Sequence, residues 1–347
     1  MKVAILKNEF DDGHENWMKA CVKQNIEADI IDLTKNNWLI KIKKEVYDCF
    51  LACPSGRESI FKNLYDERIY ILNRVLNYNV YPNYDEISLH ENKKYLSYWL
   101  ASNEINHPKT NVFYYEKEAM EFVRNSNLPI VAKFNIGASG KGVRIFRNKE
   151  DVIHYIKQAF TGKGLRQSWG PDLKMGMFGS RILKIIRNPK RIFRRLEAYK
   201  KVYNETQNGL VIFQEYIPHE FEWRIVKIGN SYFGHKKIKQ GDKASGTKGI
   251  DYAEPPVQLL NFVKNLCDLY SFNSMAVDLF EDENGEYMIN ELQCIFGHVQ
   301  DYICEKDGSP GRFIYKDDNW LFEKGMFNSN LSYDLRLKDV FALYTSK

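Results

Sequence analysis

Apolar and polar positions along this chain fall into short alternating blocks, and the blocks predict strands and helices in turn. Val3-Ala-Ile-Leu6, Ala28 to Leu33 and Tyr47 to Ala52 are apolar runs of strand length. An amphipathic stretch from His14 to Gln24 predicts a helix, and after the break at Pro54-Ser-Gly56 a second runs from Ser59 to about Leu76. This alternation predicts a small parallel α/β domain over residues 1–88. Ligands often sit at the carboxyl ends of such strands, here near Asn8-Glu9 and Ser55-Gly-Arg57, although turn residues alone give the same pattern.

The pattern continues with a helix at Asn92 to Leu100, a strand at Asn111 to Tyr115 after Pro108, and a helix at Lys117 to Ser126. A strand around Ile130 to Ala132 follows, with Lys133 at its outgoing edge. The glycine-rich loop Gly137-Ala-Ser-Gly-Lys-Gly142 then leads to a strand, Val143 to Phe146, and a helix, Lys149 to Phe160. Strand, glycine loop, strand can lay backbone N–H groups against phosphate with no side chain in the way. Gly142 stands where a Walker loop needs Ser or Thr, and no helix opens directly after the loop as a dinucleotide fingerprint requires. Taken alone, the loop reads first as a glycine-rich hairpin turn.

Residues 276–293 predict a hairpin of a different character. Asn284-Gly285 is a preferred two-residue turn, and pairing about it sets Asp278 opposite Glu291. Gln293 then shares their face, while Val277, Leu279, Met288 and Leu292 take the other, core-facing side. Facing carboxylates repel unless a cation lies between them. Oxygen ligands of this kind suit Mg²⁺, and an acidic hairpin serving only solubility is the plain alternative. Upstream, Leu210 to Ile217 is a strand ending at Pro218. Glu222 to Ile228 is another, and Gly229-Asn230 turns it into a third, Ser231 to Ile238, carrying Lys236 and Lys237.

Composition bounds these readings. The chain has 347 residues, 44% hydrophobic and 27% charged, enough for two or three domains. It holds no apolar run of membrane-spanning length, and its first residues are too short an apolar stretch for a signal peptide. Its six scattered cysteines are read as reduced thiols in a cytoplasmic protein. The net charge of +5 is uneven: Lys163 to Lys201 holds twelve Lys or Arg against two acidic residues, leaving the rest of the chain acidic. In this insert, about 161–203, Ile192, Phe193, Leu196 and Tyr199 mark one face of a basic helix. Such a helix covers a core or meets an anionic membrane or a lipid-linked acceptor, which would make the protein membrane-peripheral. Nucleic acid is disfavoured, since no aromatic-interleaved sheet platform is evident.

In this order, the motifs resemble the ATP-grasp superfamily of carboxylate–amine ligases, similar to the ribosomal-protein glutamate ligase and D-alanine–D-alanine ligase families. The resemblance spans roughly Asn92 to His298. It implies a fold of α/β class in the α+β ATP-grasp form, a small N-terminal parallel α/β domain followed by two α+β subdomains clasping ATP. The segments would be 1–88, 89–205 with the basic insert, and 206–347 with the acidic hairpin. By resemblance, Lys93 and Lys133 hold the nucleotide phosphates and the loop at Gly137, Ser139, Gly140 and Gly142 closes over them. Gln214, Glu215, Tyr216 and Ile217 line the adenine hinge, and Glu222 binds ribose. Arg224 and Lys236 are the catalytic cations facing the γ-phosphate. Asp278, Glu291 and Gln293 are the metal ligands for Mg²⁺, with two ions expected and Mn²⁺ able to substitute. Gln293 stands where the family has Asn, and Lys236 and Lys237 where arginine is common, which loses bidentate contact. The implied activity is ATP-dependent ligation of small-molecule carboxylate and amine substrates through an acyl phosphate. Related proteins that phosphorylate a hydroxyl, or that bind nucleotide without turnover, are the alternatives.

Overall fold

The computed structural model describes residues 1–10, 13–137, 142–166, 205–241, 243–244, 249–282, 284–298 and 300–344. They divide into two compact units. One comprises Met1–Gly56, Ile60–Pro108 and Ile217–Lys347, the other Arg57–Ser59 and Lys109–Tyr216.

In chain order the larger unit begins β1 (Lys2–Lys7), α1 (His14–Lys23), β2 (Glu27–Asp32), α2 (Trp38–Lys44), β3 (Cys49–Ala52), α3 (Ser59–Tyr70), β4 (Val80–Tyr81), α4 (Tyr84–Leu89) and α5 (Lys93–Ser102). The smaller unit contributes β5 (Thr110–Phe113), α6 (Glu116–Asn125), β6 (Ile130–Lys133), β7 (Val143–Phe146), α7 (Lys149–Phe160), β8 (Leu165–Arg166), β9 (Thr206–Gln207) and β10 (Val211–Glu215). The larger unit resumes with β11 (Phe221–Ile228), β12 (Ser231–Gln240), β13 (Lys243–Ala244), β14 (Ile250–Asp251), α8 (Val257–Leu269), β15 (Ser274–Glu281), β16 (Tyr287–Gln293), β17 (Cys304–Lys306), β18 (Ser309–Lys316), β19 (Asn319–Lys324) and α9 (Tyr333–Tyr344).

The expected N-terminal parallel sheet is present, in the order β2-β1-β3-β4. Val3, Ala4, Ile5 and Leu6 on β1 are all fully buried, as befits a central parallel strand covered on both faces. The C-terminal residues, which matched no motif, help cover it: Tyr333, Leu337 and Val340 of α9 share a core with Val3, Ile5 and Trp17. Lys23 on α1 donates to Asp334 on α9 at 2.6 Å.

In the smaller unit, β5-β10-β6-β7 form an antiparallel sheet around Ala132, Phe213 and Tyr155. The glycine loop therefore joins two antiparallel neighbours. Gly142 has no room for a side chain, since a Cβ there would lie 2.6 Å from Phe134 Cβ. The two-residue strands β8 and β9 pair across residues 167–204.

The second sheet of the larger unit runs β16-β15-β11-β12-β18-β17, with β13 and β14 on β12 and β19 on β18. Asp278 lies opposite Glu291 as expected, but the hairpin reaches that pairing by another route. Near the turn, Glu281 pairs with Tyr287 and Leu279 with Ile289, one residue out of the register predicted from Asn284-Gly285. A bulge after Asp278 absorbs Asn290 and restores the pairing. Met288 consequently shares Phe280's face, not that of Leu279, and Ile289 takes the core position assigned to it.

Candidate functional site

Strand parity places the chemistry on one face of this sheet. β11 pairs with β12 so that Glu222 faces Lys237 and Arg224 faces His235; β15 puts Asp278 on the other side of Arg224. Arg224 donates from Nε to Asp278 Oδ1 at 2.7 Å and from Nη2 to Oδ2 at 2.8 Å. Lys237 Nζ donates to the same Oδ2 at 2.8 Å and to Glu222 Oε2 at 2.6 Å. All four side chains are buried. Burial alone would raise the Asp278 carboxyl, but Arg224 and Lys237 outweigh it and hold it below the usual carboxylate range. Burial likewise opposes the charge of Lys237, and Asp278 and Glu222 overcome it.

A second cluster adjoins Glu291. Asn92 caps α5 by accepting from Tyr95 N, which sets Lys93 at the first helical position. Lys93 ion-pairs with Glu91 and reaches Glu291 at 3.3 Å; Gln293 Nε2 donates to Glu91 Oε1 at 3.2 Å. Burial, with Glu291 nearby, pushes the Glu91 carboxyl up to about 7 despite Lys93. Glu91 was not anticipated. It sits at φ 51, in a backbone region that sequence pattern does not reveal, and packs against Gly56.

The structure thus brings together Lys93, Glu222, Arg224, Asp278, Glu291 and Gln293. It does not bring Lys236 there. Lys236 pairs with Trp223, on the opposite parity, and its ammonium lies 3.9 Å from the centroid of Phe221 and 4.9 Å from that of Trp223. Lys237, not Lys236, shares the face of Glu222 and Arg224, and the sequence held the signal. A turn at Gly229-Asn230 sets Ile228 against Ser231, and counting outward puts Lys237, not Lys236, opposite Glu222.

In the smaller unit, Lys133 ends β6 beside Val143 and Ile212. Gln214 donates to Thr110 Oγ1 at 2.9 Å, and the Glu215 carboxylate accepts from Lys109 N at 2.6 Å. Tyr216 closes this unit and Ile217 opens the next segment of the larger one. The Ile217 carbonyl lies 2.7 Å from His219 Nδ1. Gly137 has φ 148, a glycine conformation. Ser139, Gly140 and nearly all of the basic insert, with its membrane expectation, lie outside the described residues.

The donors on the sheet face are oxygens, and Glu91, Glu222, Asp278 and Glu291 meet Lys93, Arg224 and Lys237 there, with Glu91 only partly ionised at neutral pH. This set fits a hard cation such as magnesium, which takes one or two carboxylates and keeps waters and phosphates as its other ligands. Among the described residues no group of three His, Cys, Asp or Glu could hold a metal alone.

A scan against protein-family models finds no match, and a search of curated proteins finds none. Solved structures do match. D-cycloserine synthetase aligns with TM-score 0.55 at 12% identity, covering 98% of this chain and 99% of that one. An N5-carboxyaminoimidazole ribonucleotide synthetase in complex with ADP gives 0.53 at 16%, covering 89% and 71%. The corresponding Staphylococcus aureus synthetase with ADP gives 0.53 at 11%, with the same coverage. The chain has the ATP-grasp fold. Within the ATP-grasp fold the acidic hairpin and the Glu222–Arg224 strand are neighbours in one sheet, as the motif order implied. No helix among the described residues is long and apolar enough to cross a membrane.

Proposed function

We propose that this chain is an ATP-dependent, ADP-forming ligase that joins a carboxylate to an amine or similar nucleophile through an acyl phosphate. The observation that carries the reading is the buried Arg224–Asp278–Lys237–Glu222 network standing beside Lys93, Glu291 and Gln293 on one face of an ATP-grasp sheet.

Each residue then has a role. Lys93 and Lys133 hold nucleotide phosphates, with Gly137 and Gly142 in the loop that approaches them. Gln214 to Ile217 line adenine and Glu222 takes ribose. Arg224, fixed by two bonds to Asp278, presents its remaining donors to the transferring phosphoryl group, and Lys237 adds a second positive charge. Asp278, Glu291 and Gln293 would hold magnesium, which when bound offsets charge on the phosphates. A preorganised network of this kind lowers the barrier by positioning and charge neutralisation, so no dedicated base is needed for the first step.

The test is calorimetric titration with Mg·ADP, followed by a carboxylate screen with ATP and hydroxylamine. Nucleotide binding, with ADP and hydroxamate formed together, supports the ligase. ADP without hydroxamate turns the reading toward phosphorylation of a hydroxyl. Absence of nucleotide binding overturns it.

A further inference from the structure

The two sides of α3 differ in chemistry. Lys62, Tyr65 and Ile69 are buried, while Asn63, Asp66, Glu67 and Tyr70 form one helical stripe on another side. After Tyr70 the helix widens into a single π turn, Ile71–Val75, closed by Leu76 N on the Ile71 carbonyl at 2.9 Å. Wide turns of this kind are rare and recur at functional sites. The stripe, together with Ile71 and with Tyr84 at the start of α4, lines an open pocket of about 510 Å³. Every lining residue belongs to the larger unit, and none has a part in the proposed ligase chemistry. A pocket of this volume suits a small molecule, and it is reachable from solvent, since Tyr70 is 46% exposed and Glu67 is exposed too.

The lining selects by charge. Tyr70 and Tyr84 stand with ring centroids 5.2 Å apart and planes at 71°, forming an aromatic corner. Tyr84 is set there by its backbone N–H, which donates to Asn73 Oδ1 at 3.3 Å. Of the two carboxylates, Asp66 is neutralised from inside by the buried ammonium of Lys62, which also donates to the Ile87 carbonyl at 3.0 Å. Burial raises the Asp66 carboxyl to about 6 against the pull of Lys62, so it is ionised at pH 7.5. Glu67 has no hydrogen-bond or ion-pair partner among the described residues. Arg74, which stands 5.9 Å from the centroid of Tyr84, is ion-paired with Asp85 and does not neutralise Glu67. The pocket therefore keeps an unpaired negative charge beside two aromatic rings. An anion is repelled there, and a hard metal ion finds too few oxygens. A cation carrying carbon groups satisfies both parts of the lining, with its charge toward the carboxylate and its C–H surface on the rings.

We propose that this pocket binds a small organic cation of the alkylammonium class, its charge facing Glu67 and its methyl or methylene groups lying on Tyr70 and Tyr84. The proposal stands without the ligase reading, because it uses no residue of the sheet face around Arg224.

The experiment is calorimetric titration of the whole protein at pH 7.5 with choline as the probe. The comparison ligand is dimethylbutanol, its uncharged isostere with carbon in place of nitrogen. The expected result is saturable choline binding in the millimolar range, with the isostere about tenfold weaker. Glu67→Gln and Tyr70→Leu, both at exposed positions, should each weaken choline by about three- to tenfold, the scale of one cation–π or ion-pair contact. Absence of saturable choline binding, or equal binding of the isostere, overturns the proposal, and neither result depends on a variant folding. Choline binding that both variants leave unchanged places the cation elsewhere on the chain and overturns it as well.

Discussion

Arg224 grips Asp278 with the Nε–Nη2 edge of its guanidinium, at 2.7 and 2.8 Å, across two neighbouring strands of one sheet. Bidentate geometry fixes the plane of both groups. Lys237 completes the charge balance at Asp278 Oδ2. Removing the carboxylate would strand the buried Arg224 guanidinium and leave Lys237 with Glu222 alone, so Asp278→Asn should lose about 3–5 kcal/mol of stability at pH 7. The pH dependence has a definite sign. The folded-state pKa of Asp278 is depressed, so its contribution is fully present above the unfolded value of about 4 and is lost as pH falls through the lower folded value. Urea unfolding at pH 7 and pH 3 should show the gap between wild type and Asp278→Asn narrowing in acid. An unchanged gap would mean the carboxylate is not held by these cations.

Lys236 and Lys237 are adjacent in sequence and opposite in consequence. Lys237→Met removes a cation from a buried acidic pair and from the proposed phosphoryl site. It should abolish ATP turnover and weaken Mg·ADP binding by at least tenfold, about 1.4 kcal/mol. Lys236→Met loses only a cation over two rings, about 0.5–2 kcal/mol of stability, and should leave nucleotide affinity unchanged. Calorimetry on both variants separates them. Equal losses would return Lys236 to the site.

Much of this arrangement was legible in the chain, for uneven reasons. The apolar runs of β1 and β3 are continuous because those strands are buried on both faces, so their pattern is strong. The pairing of Asp278 with Glu291 was read correctly although the turn was misplaced by one residue, because the bulge at Asn290 cancelled the error. Without that bulge Glu291 would have pointed into the core. α4 escaped notice although Asn83-x-x-Glu86 is a capping-box pattern, and α8 although Leu259, Leu260, Val263, Leu266 and Cys267 form one helical stripe. Glu91 is a different matter. Its place in the cluster depends on which distant strand it meets, and no local period encodes that.

Glu86 ties that overlooked helix to the sheet. Its Oε2 accepts from Asn83 N at 2.8 Å, closing the capping box, and its Oε1 accepts from Asn273 N at 2.8 Å and Ser274 N at 2.6 Å. The side chain is fully buried. Glu86→Ala strands three backbone donors, each worth about 1–3 kcal/mol, and should destabilise by about 3–5 kcal/mol in all. Glu86→Gln keeps one acceptor and should fall between. Urea midpoints decide it, and a midpoint for Glu86→Ala within error of wild type would remove the tie.

Gly56 offers the last prediction because it acts on the site without touching a proposed ligand. A Cβ there would lie 2.7 Å from Glu91 Cγ and 3.0 Å from Glu91 Cβ, closer than carbon atoms pack. Glu91 cannot retreat by backbone adjustment alone, since its φ of 51 is already set by the turn into α5. Its carboxylate must swing away from Lys93 and Gln293, and the sheet face then loses the part of its negative charge that Glu91 carries. Gly56→Ala and Glu91→Gln should therefore weaken Mn²⁺ binding, followed by paramagnetic resonance of the free ion, each by roughly tenfold. Because both act through one carboxylate, the double variant should bind no worse than either single one. Additive losses would show that Gly56 matters for packing alone and that the charge at Glu91 does not serve the metal.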